Sequence, residues 1–384
     1  MSTHTITMSM IGMVCGAAMG QNTNCVTDFD HVNSFDTIGT AQHIDMVGAM
    51  MFIADGGGGF QIVDASDPLS PVFMSNRPTG GMTGTNATDV YVVGTHAYVT
   101  DWWGGLSVFD VNDLFSPLLV GSTDALSGPN GIEVHGSYAY IADGLEGLKI
   151  FDVSNPASMV LVGSLDTLGY CEGVAVSNGV AYLAAGIDGG LQIIDVSDVA
   201  NPVFLGEHLR PNNTFAVAVD GDTVFLADGG TGLSAFDVSD PTNPVHLDSV
   251  YGGGSAWDLV LNGNHAYIAQ NFGGVVAVNV SDPGNMVVEG SADTDGHARG
   301  IAYSGHSAYA CDSAMGVVVF DTVLDCSLGC PVDYNEDGEL NFFDVSLFIG
   351  YYTEGSPRAD LTGDARLNFF DVSAFIEAYQ AGCP

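Results

Sequence analysis

Near the C-terminus, residues 333–344 (DYNEDGELNFFD) have the types and spacing that enclose a calcium ion. Asp333, Asn335 and Asp337 place side-chain oxygens at alternating positions, Gly338 allows a sharp turn, and Glu339 offers its backbone carbonyl. Asn341 follows two residues later, and Asp344 closes the loop. Calcium takes roughly six to eight hard oxygens, and this spacing wraps them around one point. The pattern recurs at residues 360–371 (DLTGDARLNFFD), with Asp360, Thr362, Asp364, the carbonyl of Arg366, Asn368 and Asp371 in the same places. There Ala365 replaces the turn glycine and Thr362 is a weaker ligand, so the second loop is expected to bind more weakly.

No other stretch has the spacing of a known reaction centre. The ten histidines are scattered, without the pairs that hold zinc, and no G-x-S-x-G elbow is present. The run of four glycines at 56–59 lacks the helix that a phosphate loop requires. What does recur is aspartate at regular intervals, and that regularity leads to the elements that carry it.

A first set, Asp55, Asp101, Asp143, Ala185, Asp228, Gln270 and Asp312, ends an apolar run before a glycine-rich turn, in steps of 46, 42, 42, 43, 42 and 42 residues. A second set, Asp64, Asp110, Asp152, Asp195, Asp237, Asn279 and Asp321, advances in near-identical steps. A site needs to occur once, whereas a turn occurs in every unit, so these aspartates are expected to cap turns. The runs between them have strand length and β-branched or aromatic content. In the third unit GIEVHG, YAYIADG, LKIFDVS and MVLVGSL read as four successive strands. Four-stranded units of this length form propeller blades. The strings FQIVD, LKIFD and LQIID resemble the LVIVD-repeat family over about residues 31–325. That resemblance implies an all-β propeller and no particular activity.

Six units are complete, and the seventh stops after three strands. HVNSFDTIGTAQ, from His31, matches LVGSLDTLGYCE, from Leu161, so the N-terminal segment is expected to supply the missing strand. Cys25 and Cys326 then align to one loop and are expected to form a disulfide. Cys171 and Cys311 lie three blades apart and are expected to be buried free thiols.

Residues 1–20 carry no Asp, Glu, Lys or Arg, have an apolar stretch and end in small residues, as a signal peptide does. Secretion or a place on the cell surface follows, with a propeller over 21–326 and a small tail over 327–384. Against 46 acidic residues stand six Lys and Arg, a formal net charge of −40. Such a surface repels nucleic acid and anionic lipid, attracts divalent cations and keeps the chain soluble. No run outside the leader spans a bilayer, so membrane insertion is not expected.

After each calcium loop comes a short stretch with apolar residues at helical spacing: Val345, Phe348, Ile349 and Tyr352, then Val372, Phe375, Ile376 and Tyr379. Two such EF-hand-like loop-helix units over residues 330–384 resemble a type I dockerin domain. The resemblance implies bound calcium and a cohesin-like or cell-surface partner. The sequence departs from that family in placing Phe342, Phe343, Phe369 and Phe370 before the closing aspartates. Calcium could equally serve only to fold the tail around those phenylalanines. Cys330 and Cys383 bracket the tail and are expected to pair.

In a propeller the inter-unit loops and the loops after each second strand share one face. The former place Gln42, Thr88, Asn130, Glu172, Phe215, Trp257 and Arg299 around the pore mouth, and the latter add Trp102 and Trp103. Trp102, Trp103, Glu172, Trp257 and Arg299 are the candidate ligand-binding residues. Tryptophan on polar loops suits stacking against a glycan or peptide, and it equally suits plugging the pore. The chain is expected to be a non-enzymatic binding or scaffold protein. The alternative is an extracellular carbohydrate-active enzyme using an acid pair such as Glu172 and Asp258.

Overall fold

The computed structural model describes residues 27–79, 84–305, 307–313, 315–324 and 342–354, with 359, 372, 373, 375, 376 and 379. The chain divides into two compact units, one of Val26–Asp325 and one of Met1–Cys25 with Cys326–Pro384.

The larger unit holds seven four-stranded antiparallel sheets. In the first, His43–Val47, Met50–Ala54, Phe60–Asp64 and Val72–Arg77 pair in sequence order, innermost strand first. Five further blades repeat this order. Their middle strands are apolar on both sides because each sheet is covered by a neighbour on each face. Phe52, Phe60 and Ile62 of the first blade pack against Val90, Val99 and Phe109 of the second. The core is thus a ring of inter-blade layers rather than one central mass. The first and last blades bury both faces only if the ring closes.

Closure comes from the N-terminus, as the sequence match implies. Thr27–Phe35 pairs antiparallel with Gly316–Leu324 as the outermost strand of the seventh blade. The register reproduces a detail of the other six outer strands. Each of those skips one residue against its partner, for example between Ile62 and Val63 or Ile150 and Phe151. The closing strand skips Val32, between His31 and Asn33. Val32 and Phe35 pack with Ile44 and Ile53 of the first blade and Val317 and Val319 of the seventh. Phe29 meets Tyr267 and Phe320 edge-on, with centroids 6.1 and 5.9 Å away.

The recurring aspartates are turn formers. Asp143, fully buried, accepts hydrogen bonds from the Ser127 and Gly128 amides of the preceding inter-blade loop. Asp101 accepts from Asn86, Trp103 and Gly104. Where Gln270 stands instead, its Oε1 accepts from the Gly254 amide at 3.1 Å. The second set lies at the outer turns. Asp152, Asp195 and Asp237 each accept from the serine two residues on, which holds their carboxyls below the usual range.

In the smaller unit, Phe342–Glu354 is a helix. Phe348 is buried with Ala359 and Phe375, and the two phenylalanine rings stack at 4.1 Å with 7° between planes. Val345, Tyr352, Val372 and Tyr379 pack beside them, as the helical spacing implies. Ile349 and Ile376 are exposed instead, so the apolar stripe is narrower than the spacing suggested. Residues 1–20 and all four cysteines expected to form disulfides (Cys25, Cys326, Cys330 and Cys383) lie outside the described residues. So do the side chains of all ten calcium-loop residues. Cys171 and Cys311 are buried free thiols. Burial pushes the Cys171 thiol up to about 11, which leaves it protonated and unreactive at neutral pH. Among the described residues no helix is long and apolar enough to cross a membrane.

Phe29→Ala removes the ring that anchors the closing strand. It should cost about 2–4 kcal/mol of stability, read as a fall in urea midpoint. Phe272→Ala, at an exposed turn, should shift stability by less than about 0.5 kcal/mol.

Candidate functional site

The innermost strands converge on a central channel, and one residue at the start of each stands at its mouth. A backbone bond fixes that position. The amides of Gln42, Asn130, Glu172, Phe215 and Trp257 each donate to the carbonyl of the alanine ending the second strand, at 2.8–2.9 Å. The side chains at this position therefore form a ring. All seven expected members line one cavity of about 510 Å³.

Half of the ring is laminated. Phe215 and Trp257, from adjacent blades, stack with centroids 4.6 Å apart and planes 12° apart. The Arg299 guanidinium of the next blade lies 4.8 Å from the Trp257 centroid. Arg299 Nη1 then donates to Gln42 Oε1 at 2.8 Å. Blade order puts Phe215 and Arg299 on opposite sides of Trp257, so its two faces are occupied within the protein. Trp257 is consequently a wall of the cavity rather than an open stacking platform. Burial lowers the pKa of Arg299 from its ordinary value.

One residue deeper, His43 sits between two carboxylates. Its Nδ1 lies 2.5 Å from Asp89 Oδ1 and its Nε2 lies 3.4 Å from Asp258 Oδ2. The seventh blade carries Gly300 at this level, and a Cβ there would come 2.8 Å from His43 Cα. The missing side chain lets His43 reach past the seventh blade to Asp258. Each carboxylate is also tied to backbone. Asp89 accepts from Val90 and Ile132, and Asp258 accepts from Leu259 and Ile301. Burial alone would lower the His43 pKa, but the charges of Asp89 and Asp258 outweigh it, so the imidazole is held well above its usual value. His43 is therefore an imidazolium at neutral pH, and each pair links two blades.

Deeper still, Glu133 accepts from the Val176 amide at 2.8 Å. Burial, with the charges of Glu133 and Asp45, pushes the Tyr91 hydroxyl up to about 12. Across the cavity Val174, Val217 and Leu259 make an apolar wall.

Glu172 differs from the other cavity acids. Among the described residues no hydrogen bond or ion pair reaches its carboxyl, and burial alone pushes its pKa up to about 7. Nearby, Trp102 lines the cavity and stacks on Tyr170 with centroids 6.0 Å apart. Gly144, with φ at 52°, makes room for that ring, since a Cβ there would lie 2.7 Å from Tyr170.

Four of the five residues expected at the mouth, Trp102, Glu172, Trp257 and Arg299, are brought together. Trp103 is not. Its turn directs it outward, 60% exposed and outside the cavity. The Glu172 and Asp258 carboxyls line the same cavity, but Asp258 is already paired with His43. His43, Asp89 and Tyr170 were missed by sequence reasoning. A signal for the first two existed, because equivalent positions in other blades hold Gly131, Gly173, Ala216 and Gly300.

Seven radial four-stranded sheets around a polar channel define a β-propeller with a ligand-sized mouth. The chain belongs to the LVIVD repeat family, whose model matches residues 38–79, 84–125, 130–167, 168–209, 213–251 and 253–294. No curated protein matches it. Among solved structures it is similar to the Neurospora crassa Pan2 WD40 domain (11% identity, TM-score 0.60, covering 79% of this chain and 97% of that one). It is also similar to U3-55K (10% identity, TM-score 0.62, covering 77% and 98%). Chaetomium thermophilum Raptor resembles it as well (10% identity, TM-score 0.62), over 78% of this chain and 29% of that one. Identities this low carry the fold alone.

His43→Ala should leave two buried carboxylates facing each other and destabilise the propeller by about 3–5 kcal/mol at pH 7. Because the folded pKa is raised, the contribution of His43 is complete below about pH 6.5 and lost only as pH climbs through the folded value. Imidazole chemical shifts should report a protonated ring at pH 7, and a neutral ring there would contradict the clamp.

Proposed function

We propose that the chain is an exported, non-enzymatic binding protein that recognises a protein partner on the mouth face and is attached through its calcium-dependent tail. The observation that carries the reading is a circle of exposed apolar side chains. Trp103, Leu145, Ile187 and Phe272 occupy the same turn position in four blades and are 60, 76, 58 and 75% exposed. The residue before Leu145 and that before Phe272 bridge to Cys171 and Ala298, next to mouth residues Glu172 and Arg299. The circle is interrupted at Gly57 and Gly230, and its turns at Leu145 and Phe272 adjoin the mouth. Several large apolar side chains exposed on one face suit an interaction site. The net charge of −40 favours a basic partner.

The tail reading rests on the two loop sequences and on the packing of the helix after the first loop. The stacked Phe348 and Phe375 follow the two loops at equivalent positions, as two related loop-helix units require. The dockerin-like reading adds a cohesin-like or other cell-surface partner for this part of the chain.

One observation favours the carbohydrate-active enzyme as a second reading: a carboxyl that titrates near 7 suits a general acid. That chemistry needs a second free carboxyl, and Asp258 is engaged by His43. Hydrolysis of chromogenic glycosides that disappears in Glu172→Gln would support the enzyme.

The direct test presents the full chain to arrays of basic-apolar peptides, acidic-apolar peptides and glycans. Basic-apolar peptides should bind, and Trp103, Leu145, Ile187 and Phe272 changed together to Ser should weaken them at least about tenfold. Selective glycan capture that survives those changes would contradict a protein-recognising face. On the same preparations, chelator should expose residues 330–384 to protease and calcium should restore protection. Indifference to both would remove the calcium tail.

A further inference from the structure

We propose that the propeller mouth is a binding site for an alkylammonium group, with the Glu172 carboxylate as its counter-ion.

The inference rests on the mouth being the recognition face and starts from a count of the acids in the cavity. Four carboxyls line it: Asp89, Glu133, Glu172 and Asp258. Three are satisfied within the protein. Asp89 and Asp258 hold His43 and backbone amides, and Glu133 holds the Val176 amide. Among the described residues, Glu172 alone of the four has neither hydrogen bond nor ion pair. A half-buried carboxyl without a partner is costly, and it is retained where something outside the protein completes it. The cost is visible in its raised pKa, for which burial is the sole cause.

The surroundings select among completing groups. A divalent metal needs several hard ligands, and among the described residues no group of metal-binding side chains occurs. An anion would have to displace Arg299, which is already committed to Gln42 and Trp257. The wall on the far side of Glu172 is aromatic. Phe215 turns one face to Trp257, so its other face looks toward the blade that carries Glu172. An ammonium beside Glu172 would therefore meet a carboxylate and a ring face together, a pairing that favours organic cations over hydrated metal ions. The apolar wall of Val174 and Val217 suits the alkyl stem. The charges facing the same cavity are the His43 imidazolium, Arg299, Asp89, Asp258 and Glu133.

Two sources carry this chemistry: a free small amine, or a lysine side chain presented by a protein. Calorimetry on the full chain with propylammonium, tetramethylammonium, Nα-acetyl-lysine amide and a lysine-containing basic-apolar peptide distinguishes them. At least one should bind wild type and bind Glu172→Gln at least about tenfold more weakly, with unchanged melting temperature. Affinity should rise between pH 6 and 8 as Glu172 ionises, a rise absent from the variant. Binding by the small amines assigns a free ligand, and binding by the peptide alone assigns a protein lysine. Failure of all four probes, or equal binding by Glu172→Gln, overturns the site. If basic-apolar peptides still bind through the apolar circle in that case, the mouth face remains the recognition face and only the ammonium site is lost.

Discussion

Everything in the propeller depends on ring closure. A blade whose two faces are both apolar is stable only between two neighbours, so the first and last blades must meet. The chain joins them with its own N-terminal strand. That strand takes the outermost place in the seventh blade, repeats the one-residue skip seen in every other outer strand, and seats Phe29 between Tyr267 and Phe320. The hydrophobic layer that results, Ile44 and Ile53 against Val317 and Val319, is the same kind of layer found between every other pair of blades. Unravelling the strand exposes apolar surface on both sides of the join, so closure and blade packing stand or fall together.

The channel applies the same logic with charge. Acids on the innermost strands accept amides from the next blade, as Asp89 does from Ile132 and Asp258 from Ile301. His43 then bridges Asp89 and Asp258 across the join between the seventh and first blades. The polar lumen is therefore part of what holds the ring, and most of its charge is already committed. This separates the acids that hold the ring together from the one that does not. Repeated aspartates cap turns, paired aspartates link blades, and Glu172 does neither.

Much of this was legible beforehand. Near-constant steps between Asp101, Asp143 and Asp228 revealed blades, and the likeness of residues 31–42 to residues 161–172 revealed the closing strand. The mouth ring followed because blade geometry fixes which residue stands at the start of each innermost strand. What escaped depends on directions that a period does not encode. Trp102 and Trp103 are adjacent, yet one turns into the cavity and the other out, because Asp101 caps their turn. The His43–Asp258 contact skips a whole blade, and only the glycine at 300 makes it possible. The Trp102–Tyr170 stack likewise spans the third blade, over Gly144.

What remains for recognition is the set of residues that break the repeat and are not used to hold it: Glu172 within the mouth, and the apolar circle around it. The most direct measurement is the titration of the Glu172 carboxyl by carbon NMR, on chain labelled at glutamate and assigned with Glu172→Gln. An unpartnered, half-buried carboxyl titrates at about 7 in the free protein, and a bound alkylammonium ion pulls that midpoint down. A midpoint in the ordinary glutamate range, unmoved by any amine, would contradict the assignment of Glu172 as the free acid of the channel.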